Sequence, residues 1–142
     1  VSYEDQIAIA ILTVRLFVGI LFFFQGYDKI FRVGVKRLVQ TLNTGMANGS
    51  MNESILRPLA ISSSWIEMIS GFLLFVGFAK PIAMAALCFN LLVVSIGFSR
   101  FNPIWNESHV FVRLTSIIFL MMIPSSMDIY SLDYFINQYI SP

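Results

Sequence analysis

The stretch Ile7–Phe24 is 18 residues long, with Arg15 as its only charge and Thr13 as its only other polar side chain. An apolar helix of about 20 residues crosses a bilayer. A guanidinium in hydrocarbon costs roughly 2.5–3.5 kcal/mol even on a lenient insertion scale. Arg15 is therefore expected to face protein or water and to have a partner. The acidic pair Glu4 and Asp5 precedes the stretch, where a cleaved signal peptide would carry basic residues, so it reads as a retained span.

The rest of the chain fits the same solvent. Only 12% of its 142 residues are charged and the mean hydropathy is +0.78, whereas soluble domains carry about 25% charged residues. The chain reads as an integral membrane protein. A single cysteine, Cys88, and a single histidine, His109, leave no material for a disulfide framework, a thiolate metal cluster, dithiol chemistry or a histidine-built haem site. No catalytic residues, no metal ligands and no intrinsic cofactor are expected. The net charge of +1 lends no support to nucleic-acid binding.

Four apolar segments are predicted to span, at about residues 7–31, 59–79, 82–99 and 109–128. The fold expected for residues 1–142 is one all-α membrane domain, a four-transmembrane-helix bundle with short interfacial helices. Short connections make neighbours antiparallel. In the first segment Arg15, Gly19, Phe22, Gly26 and Lys29 share one face, and glycines there let a second helix approach closely. In the second, Ser64, Glu67, Gly71, Leu74 and Phe78 share a face. In the third, Ala83, Ala86, Asn90, Val93 and Gly97 do. Residues 33–46 are amphipathic: Val35, Leu38, Val39, Leu42 and Met46 oppose Lys36, Arg37, Gln40 and Asn43. That pattern suits a helix on an anionic membrane surface or one capping the bundle. The tail, 129–142, is too polar for a fifth span and reads as an interfacial helix.

Lysine and arginine counts set the orientation. Lys29, Arg32, Lys36, Arg37, Arg57 and Arg100 fall on one side, and only Lys80 on the other. The positive-inside rule places the basic loops in the cytoplasm and both termini outside. Trp65 and Trp105 then lie near the inner interface. Tyr27, Asp28 and Lys29 close the first span there, as an anchor or as headgroup contacts. Three N-x-Ser/Thr sequons, at Asn48, Asn52 and Asn106, fall on the cytoplasmic side and are read as chance.

Rise along the helices ranks the buried polar groups by depth. Glu67 and Arg113 lie about 12 Å and 6–9 Å from the inner boundary, and Arg15 about 21 Å. Glu67 and Arg113 are the better-matched pair, leaving Arg15 short of a partner. Arg15, Glu67, Asn90, His109 and Arg113 are the candidates for a ligand site or proton path; the alternative is an ion pair that holds the bundle in register.

Three motifs, in order, resemble the DoxX family of small four-helix membrane proteins. They are R-L-x-x-G-x-x-F-x-x-x-G-x-x-K-I from Arg15 to Ile30, E-x-x-x-G-x-x-L-x-x-G from Glu67 to Gly77, and H-V-F-x-R-L at His109–Leu114. The last, with Gly26-Tyr27-Asp28-Lys29, resembles Bacteroidetes-type members. The resemblance implies a link to redox systems, such as thiosulfate–quinone or quinol oxidase subunits. It implies an accessory subunit of a larger, respiratory or quinone-linked membrane complex, in contact with membrane lipids and without activity alone. The alternatives are a quinone- or lipid-binding redox protein acting itself, as a quinone-linked oxidoreductase component, or a small transporter or proton path.

Overall fold

The computed structural model describes residues 2–44, 52–99 and 108–140, except the side chains of 97–99, 108 and 109; every element in it is helical. Helix α1 (Tyr3–Tyr27) starts ahead of the apolar run because Ser2 and Asp5 form a capping box. The Ser2 hydroxyl accepts the Asp5 N–H at 3.2 Å, and the Asp5 carboxylate accepts the Ser2 N–H at 2.9 Å. These contacts satisfy N–H groups that a helix start leaves without partners. The helix widens into a π-helical segment, Asp28–Val33, and turns at Gly34.

Helix α2 (Val35–Thr44) lays Val35, Leu38, Val39 and Leu42 against Leu56 and Ala60 of α3 (Glu53–Val76). Its apolar stripe therefore covers protein, and Lys36, Arg37 and Gln40 face outward. The sequence pattern starts this second segment at Leu59, after Pro58. The helix instead begins six residues earlier, because the Asn52 side chain caps it by accepting the Ser54 N–H at 3.0 Å. Met46 and the sequon at Asn48 lie outside the described residues.

Helix α3 ends in a Schellman motif. Gly77 is left-handed at φ 77° and donates to the Leu74 carbonyl at 3.1 Å, while Phe78 donates to Leu73 at 3.0 Å. Helix α4 (Lys80–Ser99) and α5 (Ser108–Met122) follow. The sequence pattern carries the fourth segment on to Asp128, but α5 stops at Met122. Pro124 has no N–H to donate and disfavours helical geometry at Ile123. A 3₁₀ turn (Ser125–Met127) and the short helix α6 (Leu132–Ile140) complete the described chain.

The tightest contact is between α1 and α3. A Cβ added at Gly19 would stand 2.7 Å from the Phe75 amide nitrogen, and one at Gly26 would stand 2.6 Å from that of Met68. One added at Gly71 would collide with the backbone of Phe23. The small-residue faces therefore form a backbone-to-backbone seam, as the spacing predicts. Around it Val18, Phe22, Leu74, Leu87, Leu91 and Ile117 are each 1% exposed or less.

On α4 the buried stripe is Lys80, Ala83, Met84, Leu87, Asn90 and Leu91; Ala86 is half-buried and Val93 is exposed. The predicted stripe is thus rotated about Asn90. This helix is apolar all round, so its spacing alone cannot choose a face.

Gly71→Val is expected to cost about 3 kcal/mol or more, the upper end for overpacking, because backbone and not a movable side chain stands in the way. Gly34→Ala, with no described atom within 4 Å, is expected to cost about 1–3 kcal/mol from backbone strain alone, since φ 78° with ψ 142° is a conformation left almost entirely to glycine. Unfolding in mixed micelles would rank the two.

Candidate functional site

The polar residues that the sequence singles out fall into two clusters at different depths. The first centres on Glu67, whose side chain is 3% exposed. Lys29 Nζ donates to both of its carboxylate oxygens, at 2.6 and 2.8 Å. Asn90 Nδ2 donates to Oε1 at 3.4 Å. Lys29 reaches Glu67 because Gly26, one turn earlier, brings the α3 backbone at Ser64 and Met68 against α1.

Glu67 thus has Lys29 as its ion-pair partner, in place of the depth-matched Arg113. Counting rise alone missed how far a lysine stem can reach back into the bundle. Arg113 is half-buried on α5 and within the electrostatic influence of Glu67, with no ion-pair contact inside 4.0 Å among the described residues. His109 belongs to α5, but its side chain lies outside the described residues, as do Arg100 and Trp105.

The second cluster surrounds Arg15, which is 2% exposed. Its Nη1 donates to the carbonyls of Leu74 and Phe75 at 2.8 and 3.0 Å, and its Nη2 to that of Tyr130 at 3.0 Å. Its Nε lies 3.1 Å from Asp128 Oδ2. Arg15 is therefore not short of a partner. The two α3 carbonyls belong to the last turn of that helix, where acceptors lack intrahelical donors and a cation is favoured. A Cβ at Gly77 would lie 2.6 Å from Arg15 Nη1, so the residue that ends α3 must also be small.

Lys80 at the start of α4 completes this cluster, donating to Asp128 Oδ2 at 2.8 Å and to Ser131 Oγ at 3.1 Å. Asp133 caps α4 across the fold. Its carboxylate accepts the N–H groups of Ala79 and Lys80 at 2.8 and 2.9 Å, and its own N–H donates to the Gly77 carbonyl at 2.9 Å. Those bonds hold Ala79 at φ 47°, a conformation costly for a residue with a Cβ.

Asp128, Ser131 and Asp133 are the members of this cluster that the sequence reading did not single out. One signal for them was present: an arginine in the half of the first span nearer its N-terminus needs an acid at that end, and both aspartates follow the last apolar segment.

At the Glu67 end, Asp28 pairs with Arg32 at 3.4 Å on the surface, leaving Lys29 for Glu67. Tyr27 is partly exposed and its ring lies 4.9 Å from that of Phe31. Along the helices the buried Phe22 falls between Arg15 and Lys29, Leu74 between Glu67 and Gly77, and Leu87 between Lys80 and Asn90, and with Ile117 they form an apolar layer between the two clusters. Among the described residues no three His, Cys, Asp or Glu side chains are grouped to hold a metal ion.

A protein-family model, DoxX, matches residues 10–100. The chain belongs to the DoxX family. No curated protein and no solved structure gives a significant match. DoxX is a membrane-protein family. Here the helix from Tyr3 through Val33 (31 residues) and α3 (24 residues) are each long and apolar enough to cross a bilayer. The chain is a membrane protein. The matched region holds Arg15, Lys29, Glu67, Lys80 and Asn90, whereas Asp128 and Asp133 lie beyond it.

Arg15→Ala is expected to destabilise the protein by about 3–5 kcal/mol, the usual result of removing one partner from a buried ion pair. Glu67→Gln keeps a side-chain acceptor for Asn90 and leaves Lys29 room to reach water, so about 1–2 kcal/mol is expected. Equilibrium unfolding of both variants against the parent protein measures the difference.

Proposed function

We propose that this DoxX-family protein is a small accessory subunit of a larger, quinone-linked redox complex in the bacterial inner membrane. The observation that carries the reading is the use made of the buried charges. Arg15 joins α1 to the end of α3 and to the segment after α5 through Leu74, Phe75, Asp128 and Tyr130. Lys80 ties α4 to the same aspartate. Charges engaged in holding segments together describe a structural module. Large apolar side chains on α4 and α5, including Phe89, Ile96, Phe111 and Val112, point outward to lipid or to partner helices. The redox and quinone setting rests on the family resemblance.

The reading includes four crossings, by α1, α3, α4 and α5, with both termini periplasmic. Its support is that α1 and α3 run antiparallel, Gly19 meeting Phe75 and Gly26 meeting Met68, and that the cations Arg32, Lys36, Arg37 and Arg57 are exposed at the end opposite the termini. In a Cys88→Ala background, Tyr139→Cys should react with an impermeant maleimide from the periplasmic side. Lys36→Cys should react only after the membrane is opened; the reverse pattern would invert the topology. Purification from native membranes in mild detergent should bring down larger membrane subunits at fixed stoichiometry. Recovery of this chain alone would sink the accessory role.

A second reading has one observation in its favour: the Lys29 side chain is 33% exposed and leads to buried Glu67. A quinone or lipid carbonyl would be held there by Lys29 and Asn90, with Arg113 and His109 on the adjacent helix and Arg15 outside the contact. Its mark would be loss of quinol turnover by the intact assembly in Glu67→Gln. A through-going proton path ranks last, because the apolar layer separates Glu67 from Arg15.

A further inference from the structure

The outer cluster borders a small cavity between α1, α4 and the chain after α5. It measures about 20 Å³ and is lined by Arg15, Lys80, Ser125 and Asp128 on its polar side and by residues such as Ile11 and Leu120 on its apolar side. Two polar atoms here are buried without a hydrogen-bond partner among the described residues, Arg15 Nε and Asp128 Oδ1. The Nε atom is close to Asp128 Oδ2, at 3.1 Å, but its N–H is not directed at that oxygen. Both cations that contact the carboxylate do so at Oδ2, which leaves Oδ1 with no donor. Their residues are built into the core: Arg15 is 2% exposed, Lys80 6% and Asp128 3%.

These atoms specify what can bind. The ligand must accept from an N–H and donate to a carboxylate oxygen. A simple anion accepts only and would be repelled by Oδ1. A metal cation would satisfy Oδ1 but would face Arg15 and Lys80. Water does both tasks. A water molecule needs roughly 10–15 Å³ of such volume and two to four polar partners. The cavity is large enough for one, and these residues supply the partners.

We propose that this cavity is a binding site for a single water molecule, which accepts from Arg15 Nε–H and donates to Asp128 Oδ1. Ser125, which is exposed, forms the rim. The site thus joins the buried carboxylate to the aqueous phase at this end of the bundle. It goes no deeper, because the layer of Phe22, Leu74, Leu87 and Ile117 is closed. Asp128, and not Glu67, is the carboxylate that exchanges with water from this side.

The test is water-edited solid-state NMR on the full chain in liposomes, with arginine, aspartate, leucine and isoleucine labelled. Magnetisation from water should reach Arg15 Nε and the Asp128 carboxyl at least several-fold faster than it reaches the Leu74 and Ile117 methyls. Ile11→Phe places a ring in the cavity and should abolish the fast transfer to Arg15 while the Lys80–Asp128 contact persists. Equal, slow transfer at Arg15 and at the methyl groups would overturn the proposal, as would fast transfer unchanged in a folded Ile11→Phe protein. Replacing chloride by gluconate should leave the Arg15 Nε shift unmoved; a halide-dependent shift would assign the site to an anion instead. The parent protein supports these transfer and halide readouts whether or not the variant folds.

Discussion

A buried guanidinium has five N–H donors and a charge that hydrocarbon cannot solvate. Meeting those demands at Arg15 organises one whole end of this protein. At the end of α3, Arg15 supplies a donor to the Phe75 carbonyl and a second donor to that of Leu74, which already accepts the Gly77 N–H. The chain after α5 supplies Asp128 and the Tyr130 carbonyl. Gly77 leaves the space, and Lys80 shares the aspartate. The guanidinium is the group that would otherwise be buried alone, which is why segments far apart in sequence converge on one residue. The break at Pro124 belongs to the same arrangement. Because α5 ends at Met122, the chain is free of helical geometry by the time it reaches Asp128.

The opposite end follows a different logic. Glu67 is buried, but its cation is a lysine with a partly exposed stem, so this pair retains a route to the surface. The glycine seam between α1 and α3 underlies both ends. It brings the two backbones together at Gly19, Gly26 and Gly71, and so sets the spacing at which Lys29 meets Glu67 and Arg15 meets Leu74. The apolar layer between the clusters keeps their hydrogen-bond networks separate. This division suits a structural role for Arg15 and leaves Glu67 as the group with the better opening toward a ligand.

Much of this was legible in the sequence. Membrane character, DoxX membership and the glycine faces of α1 and α3 all follow from local residue patterns. Arg15 and Glu67 were recognisable because a charge in an apolar run is costly wherever it lies. Which residues partner them was not, beyond the signal that Arg15 calls for an acid at its own end. Matching depths paired Glu67 with Arg113, since rise along a helix says nothing about roll, crossing angle or side-chain reach. The stripe on α4 was misplaced for the same reason, Leu87 and Leu91 being buried where Ala86 and Val93 had the more suggestive spacing.

The sequence by itself determined that the chain is helical, that it belongs in a membrane, and that Arg15 must be neutralised. Those outcomes depend on transfer free energies of residues taken singly or along one helix. Only the tertiary structure decided that Asp128 does the neutralising, that Lys29 holds Glu67, and that Asp133 caps α4 across the fold. Such choices depend on which groups come within about 3 Å of one another. That is settled by how the helices roll and cross, and above all by the glycine contact of α1 with α3.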